Sequence, residues 1–255
     1  MNSIIYGPVS SWRLGRSLGI DLLSTKEKTC SFDCLYCQLG RTVHPLSERR
    51  EFVSIKEVAA ALEQVKGVTA DYATFSGMGE PTLANNLGQA IQIARSILRL
   101  PIAVLTNSSL LLREDIRREL AQAEVVVAKI DAPTEEMFRR INRPHMRYGL
   151  EDILQAIKLF RMSYRGKLVL QMMFIEENRE CAPEMARVAE ELLPDEVQIN
   201  TPLRPCGVKP LMPEEIAAIG YEFSALKRVV TVYEAFRPEV TPLSLKETLQ
   251  RRPQL

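Results

Sequence analysis

The sequence lacks several features that mark particular classes of protein. No apolar run in its 255 residues approaches the ~20 residues that a membrane-spanning helix needs. The first residues contain no basic segment followed by an apolar core, so we expect no signal peptide and a cytoplasmic location. There is no excess of one charge either, since 33 Lys and Arg residues face 32 Asp and Glu residues, for a net charge of +1. This balance excludes a histone-like or polybasic protein.

Cysteine is scarce and unevenly placed. Of the five cysteines, Cys30, Cys34 and Cys37 lie close together, whereas Cys181 and Cys206 stand alone. An odd number of cysteines without a secretory signal argues against a disulfide framework. In a reducing compartment, a tight group of thiols favours metal binding or redox chemistry.

Apolar runs of strand length alternate with longer amphipathic segments through most of the chain. This alternation is typical of βαβ units and predicts an α/β fold with a parallel sheet. Right-handed crossovers would curl six such units into a doubly wound sheet or a partial barrel. A capping box at Ser54 and Glu57 opens the first predicted helix. The predicted strands are residues 19–23, 72–75, 102–106, 125–130, 168–175 and 196–200. The predicted helices are residues 55–65, 87–98, 114–121, 150–162 and 184–192.

The alternation changes near residue 204, where prolines become frequent. After them we predict a helix at residues 213–221, a strand at 229–233 and a short helix that a second capping box opens at Ser244 and Glu247. We therefore expect residues 1–204 to form the core. Residues 205–255 would form a short α/β extension that covers the core without being an independent domain.

The run Cys30-Ser-Phe-Asp-Cys34-Leu-Tyr-Cys37 could wrap three thiolates around one small centre. Structural zinc usually has four ligands, commonly as two Cys-x-x-Cys pairs, and no second pair lies nearby. A [4Fe–4S] cluster held by three cysteines would leave one iron free to bind a small chelating molecule. Two alternatives stay open: an iron–sulfur electron carrier, and a zinc site completed by Cys206, Cys181 or His44.

Polar residues follow several predicted strands, where ligands bind in folds of this class. Gly77 and Gly79 would let the backbone approach a ligand, and Glu80 could accept a hydrogen bond from an ammonium group. Each of these features alone fits an ordinary turn or salt bridge, but together on one rim they indicate a binding site. The residues at the next two strand ends are Thr106, Asn107, Lys129 and Asp131. Cys206, beyond the sixth predicted strand, could serve there as a hydrogen donor or a covalent attachment point.

The cysteine spacing, with Tyr36 before the last cysteine, resembles the signature of the radical S-adenosylmethionine (SAM) superfamily. Gly79-Glu80-Pro81-Thr82-Leu83 resembles that superfamily's Gly-Gly-Glu motif, with Met78 in place of the first glycine. The resemblance implies a six-unit partial (βα) barrel in which Cys30, Cys34 and Cys37 hold a [4Fe–4S] cluster and SAM chelates its fourth iron. It implies SAM contacts at Tyr36, Gly77, Gly79, Glu80, Thr106, Asn107, Lys129 and Asp131.

The same resemblance implies a reaction. An electron, supplied by a small reductant protein such as flavodoxin or ferredoxin, would cleave SAM to methionine and a 5′-deoxyadenosyl radical. This radical would abstract hydrogen from a substrate that the sequence does not identify. The substrate class stays open between a small molecule, a peptide and RNA, and we expect no membrane partner.

Within the superfamily, residues 6–21, 129–133 and 141–144 are similar to compact enzymes grouped with the wyosine-type tRNA enzyme (tRNA imidazoguanosine synthetase-like). That enzyme uses an extra N-terminal set of cysteines, whereas no cysteine precedes Cys30 here. Residues 139–148 concentrate four arginines, a histidine and a tyrosine, which suit phosphate and base contacts. They equally fit a solvated connection between helices, balanced by nearby acidic residues.

Overall fold

An eight-stranded sheet forms the centre of the fold in residues 3–253, the part of the chain that the computed structural model describes. The strands of the whole fold, in chain order, are β1 (Ile5–Ser11), β2 (Gly15–Ile20), β3 (Thr29–Cys30), β4 (His44–Pro45), β5 (Tyr72–Phe75), β6 (Ile102–Thr106), β7 (Val125–Lys129), β8 (Lys167–Met173), β9 (Glu196–Asn200) and β10 (Val229–Thr231). The helices are α1 (Ile55–Gln64), α2 (Leu87–Leu98), α3 (Glu114–Leu120), α4 (Glu135–Asn142), α5 (Leu150–Ser163), α6 (Ala182–Leu192), α7 (Pro213–Glu222) and α8 (Leu245–Arg251).

The sheet is curled into a half barrel with the strand order β1-β2-β5-β6-β7-β8-β9-β10. β1 is antiparallel to β2, and every later pair in this order is parallel. β3 and β4 form a separate parallel pair. Because the parallel strands end on the same edge, the loops that follow them meet there.

Alternate residues along the strands face two apolar layers, as the pleat requires. Val104 and Val126 pack toward the helices in the main core. Ala103, Val125 and Val127 face the inside of the curled sheet, where they form a smaller cluster. The strands therefore present apolar side chains on both faces of the sheet.

The capping box at the first helix is confirmed. The Ser54 hydroxyl accepts from the Glu57 N–H at 3.3 Å, and Glu57 Oε2 accepts from the Ser54 N–H at 2.8 Å. These bonds satisfy two of the amide groups that a helix start leaves unpaired. The buried residues Val58 and Leu62, four apart, turn the same face of α1 to the core.

The sequence patterns predict neither β1 nor α4, and they do not pair the strand predicted at 229–233 with β9. β1 was not predicted, and β2 begins four residues before the predicted strand, because the run Gly15-Arg16-Ser17 has little strand propensity and is held by pairing on both sides. α4 was not predicted because its apolar positions Phe138 and Ile141 are few among charged residues. β10 is a parallel strand beside β9, so in residues 3–253 the sheet has one parallel strand more than predicted.

The residues after position 204 contact both edges of the sheet. β10 extends one edge, and α8 packs near β1 at the other, where the Gly7 N–H donates to the Thr248 hydroxyl at 3.0 Å. Arg251 of α8 is fully buried and lies 2.9 Å from Oδ2 of Asp21. In residues 3–253 no helix is long and apolar enough to cross a membrane.

Candidate active site

The cysteine-bearing loop begins at β3 and is fastened to the end of β5 by main-chain hydrogen bonds. The Thr29 N–H donates to the Met78 carbonyl at 3.0 Å, and the Glu80 N–H donates to the Thr29 carbonyl at 3.3 Å. A Cβ at Gly79 would lie 1.6 Å from that same carbonyl oxygen. The glycine is therefore required for the two chain segments to approach each other.

The same loop is fastened on its other side to α4, the helix that sequence reasoning missed. The Leu35 N–H donates to the Ile141 carbonyl at 3.0 Å, and the Asp33 N–H donates to the Asn142 carbonyl at 3.0 Å. The loop is thus held between the ends of β5 and α4 before any ligand binds.

One cavity of about 540 Å³ opens at the carboxyl ends of the strands. Its walls include most of the residues that the sequence analysis assigned to a site. These are Cys30, Cys34, Cys37, Tyr36, Gly77, Gly79, Glu80, Thr106, Asn107 and Lys129. Asp131 and Cys206 are not on the wall.

The three thiols lie near a buried cation. Burial raises the pKa of Cys30 to about 12 and also raises the pKa of Cys34. Lys28 is 3% exposed, and although burial by itself lowers the pKa of this amine, the charges of Cys37, Cys30 and Cys34 raise it overall. Buried thiols with these pKa values stay protonated at neutral pH unless positive charge offsets the thiolates. Lys28 supplies one such charge, and bound iron would supply the rest.

The thiol arrangement fits a cluster better than a single zinc ion. In residues 3–253, no three His, Cys, Asp or Glu side chains stand close enough together to hold one metal ion. The possible fourth zinc ligands also point elsewhere. His44 lies 3.2 Å from Glu27, the Cys206 thiol donates to the Val208 carbonyl at 3.2 Å, and Cys181 lies at the start of α6.

Two side-chain amides lie within hydrogen-bonding distance of the thiols. Asn107 Nδ2 is 3.5 Å from the sulfur of Cys30 and 2.9 Å from the hydroxyl of Ser31. Asn142 Nδ2 is 3.4 Å from the sulfur of Cys34. Donors at these positions stabilise thiolates and therefore influence the reduction potential of a cluster bound to them.

Asp131 lies behind the cavity wall, where it positions residues that do line the cavity. It is 2% exposed, and it accepts hydrogen bonds from the Tyr36 hydroxyl, from Asn142 Nδ2 at 2.7 Å and from the Met173 N–H at 2.9 Å. Lys129 Nζ lies 3.5 Å from Asp131 and 4.2 Å from the centre of the Tyr36 ring. Burial, and then the charge of Asp131, raises the pKa of Tyr36 well above its ordinary value.

Glu80 joins the ends of β5 and β6. Its Oε1 accepts from the hydroxyls of Thr82 and Thr106, both at 2.7 Å, and from the Thr82 N–H at 3.1 Å. Its Oε2 accepts from the Asn107 N–H at 2.6 Å, the one donor to this atom within residues 3–253. Burial raises the pKa of Glu80, although these bonds favour its charged form. Oε2 keeps acceptor capacity for a ligand in the cavity.

Two other predicted features take different places. Cys206 packs with Tyr36 and Met173 behind the cysteine loop, away from the cavity wall. The arginine-rich residues 139–148 do not form one continuous basic band, since Arg139 pairs with Glu135 at 2.7 Å and Asn142 turns into the core.

Sequence reasoning missed Lys28 and Asn142 as site residues. Lys28 carried a weak signal, since it lies two residues before the first cysteine. Asn142 belongs to one of the segments similar to the tRNA enzyme, but nothing local to it indicates that its amide reaches Cys34 across the fold.

The chain has relatives of known family. The pattern of the radical SAM superfamily matches residues 28–189. A UPF0026 protein of Methanocaldococcus jannaschii is 39% identical over 224 residues, which cover 85% of this chain and 69% of the relative. A UPF0026 protein of Synechocystis sp. is 38% identical over 211 residues, which cover 82% of this chain and 78% of the relative.

A solved structure has a similar fold. Streptococcus suis SuiB bound to S-adenosylmethionine superimposes with a TM-score of 0.63 over 81% of this chain, at 14% identity. This chain spans about half of the SuiB chain, at 48% of its length. At this identity the likeness concerns the fold alone. The superfamily match covers more than half of the chain and spans the three clustered cysteines and the Gly-Glu run, and the UPF0026 relatives are similar over most of their length. The chain therefore belongs to the radical SAM superfamily and to the UPF0026 family.

Proposed function

We propose that this protein is a radical SAM enzyme in which Cys30, Cys34 and Cys37 hold a [4Fe–4S] cluster and SAM binds at the iron without a cysteine. When bound, the reduced cluster supplies the electron that cleaves SAM to methionine and a 5′-deoxyadenosyl radical, which takes a hydrogen atom from the substrate. The observation that carries the proposal is the single cavity that brings the three thiols, Lys28 and the Gly-Glu run together.

The residues on the wall have separate tasks in this proposal. Lys28 offsets the negative charge of the thiolates, and Asn107 and Asn142 donate hydrogen bonds to sulfur. Gly77 and Gly79 bring main-chain groups close to the cavity, and Glu80 offers Oε2 to the amino group of SAM.

Lys129 is suited to bind the carboxylate of SAM. Its side chain is 17% exposed, lines the cavity and is held by Asp131 and the Tyr36 ring. A cation that the fold has already positioned loses little conformational freedom when a carboxylate binds.

The substrate class is part of the proposal. A reaction on tRNA like that of the wyosine-type enzyme has less support than a small substrate, because residues 139–148 form no continuous basic band. A small reductant protein such as flavodoxin or ferredoxin would deliver the electron.

The experiment is anaerobic reconstitution with iron and sulfide, followed by incubation with SAM and dithionite. We expect 5′-deoxyadenosine and methionine to form in equal amounts, and only when cluster, SAM and reductant are all present. Protein with a full cluster that forms no 5′-deoxyadenosine above the level without reductant would contradict the proposal.

A further inference from the structure

Four arginines from distant parts of the chain line the same cavity as the cysteines. Arg13 lies in the turn between β1 and β2, Arg204 follows β9, Arg237 follows β10 and Arg252 follows α8. The last three also line an adjoining cavity of about 710 Å³ between β1 and residues 237–252. We call these four side chains the arginine cluster. It stands at the boundary between the two cavities.

The arginine cluster has no internal counter-charge. Within residues 3–253, none of its members forms an ion pair, whereas the buried guanidinium groups of Arg49 and Arg251 each pair with carboxylates. The members contact neutral groups instead. Arg204 donates to Oε1 of Gln38 at 3.1 Å, and Arg252 donates to the Ser76 hydroxyl at 3.3 Å. Arg237 donates to the Val232 carbonyl at 3.4 Å, and Arg13 lies 5.1 Å from the centre of the Trp12 ring.

Two further observations indicate that this arrangement suits an anion. Arg13 Nε is buried and has no hydrogen-bond acceptor in the described part of the chain. Burial, and then the charge of Arg252, lowers the pKa of both Arg13 and Arg204. Of the carboxylates on the two cavity walls, Glu80 is engaged with Thr82, Thr106 and Asn107, and Glu239 lies only on the adjoining cavity.

The number of positive charges indicates the kind of anion. A carboxylate brings one negative charge, whereas a phosphate group brings roughly −1.5 to −2 and three acceptor oxygens. The guanidinium fork matches phosphate oxygens in pairs, so several arginines can bind one phosphate or pyrophosphate group. The carboxylate of SAM needs none of them, since Lys129 is suited to bind it.

We propose that the arginine cluster binds the phosphate or pyrophosphate group of a small phosphorylated substrate. This proposal deepens the proposed function and rests on it for the reaction that follows binding. The bound phosphate would hold the rest of the substrate between the arginine cluster and the cysteines. A small molecule fits better than a nucleic acid strand, because the four arginines converge on one cavity and do not follow one another along a continuous surface track.

The test is calorimetric titration of the reconstituted, anaerobic full-length protein with inorganic pyrophosphate. We expect binding that the double variant Arg204→Gln/Arg252→Gln weakens by roughly a hundredfold, about tenfold for each lost charged contact. Arg139→Gln, which removes an arginine paired with Glu135 outside the cavity, should bind like the wild type. Pyrophosphate should also raise the melting temperature of the wild type and not that of the double variant.

Each other outcome overturns the inference. If pyrophosphate does not bind, or binds the double variant equally, the arginine cluster is not a phosphate site. If citrate binds and pyrophosphate does not, the class of anion is wrong, and if only an oligoribonucleotide binds, the small-molecule assignment is wrong. Because calorimetry measures binding and not turnover, a failure of SAM cleavage would leave this result unaffected.

Discussion

The positively charged side chains at the two ends of the cavity differ in their partners. At the inner end, next to the cysteines, Lys28 lies among thiols and Lys129 lies between Asp131 and the Tyr36 ring. At the outer end, the arginine cluster has no carboxylate partner within residues 3–253. In our proposals, a [4Fe–4S] cluster completes the inner end together with the protein's own groups, and a bound anion completes the outer end.

We infer that the paired cations at the inner end stabilise the fold and that the unpaired arginines at the outer end bind a ligand. A buried charge with a partner is costly to disturb, because removing one member leaves the other unpaired. Like charges without partners repel, so removing one costs the ligand-free protein little. Such a trade of stability for binding is common at functional sites.

The largest effect is expected at the cysteines. Cys34→Ala should lose most of the iron after reconstitution, because three thiolates are needed to retain the cluster. Cys181→Ala is the matched control, since Cys181 lies at the start of α6 away from the cavity, and it should keep the iron content of the wild type. The measurement is iron and sulfide per chain. Equal loss in both variants would show that the three-cysteine assignment is wrong.

The next largest effect distinguishes two neighbouring arginines. Arg251→Met should lower the free energy of unfolding by about 3–5 kcal/mol, because it leaves Asp21 buried without its cation. Arg252→Met should change it by less than about 1 kcal/mol, because Arg252 has no ionic partner within residues 3–253. Urea denaturation of the ligand-free variants gives both values. Similar losses in the two variants would contradict the distinction between paired and unpaired arginines.

A smaller effect is expected for the lysine at the inner end. Lys129→Met should cost about 1–3 kcal/mol of unfolding free energy, since Asp131 keeps its three hydrogen bonds and loses only the cation. Arg204→Met, at the outer end, should be neutral or slightly stabilising. Thermal and urea denaturation of the pair measure the comparison directly. Greater destabilisation by Arg204→Met than by Lys129→Met would contradict the distinction between the two ends of the cavity.

The smallest effect is a response to salt. Raising NaCl to about 0.3 M should screen the repulsion within the arginine cluster and raise the melting temperature by about 1–2 °C, or roughly half a kcal/mol. The double variant Arg204→Gln/Arg252→Gln should lose this increase. An equal rise in melting temperature in both proteins would show that the rise does not come from repulsion within the arginine cluster.

Local sequence patterns predicted the parts of the site that come from short segments. The three cysteines and the Gly-Glu run are each contained in one short segment, and the positions of β5 to β9 followed from their apolar runs. At the end of β7, both Lys129 and Asp131 were predicted to contact SAM. Only Lys129 lines the cavity, because the chain turns after it and places Asp131 behind the cavity wall.

The arginine cluster could not be predicted from such patterns. Arg13 and Arg252 lie near opposite ends of the chain and meet only because α8 packs near β1. No periodicity or motif links them, and the overall net charge of +1 conceals the local excess. For the same reason Asn142 was missed, since its contact with Cys34 spans the fold.

The most direct test of the central claim is the electron paramagnetic resonance spectrum of the reduced, reconstituted protein with and without SAM. If Cys30, Cys34 and Cys37 leave one iron without a protein ligand, SAM will bind that iron. The g values of the cluster signal should then shift when SAM is added, and Cys181→Ala should behave in the same way. A complete cluster whose spectrum is unchanged by saturating SAM would contradict the account.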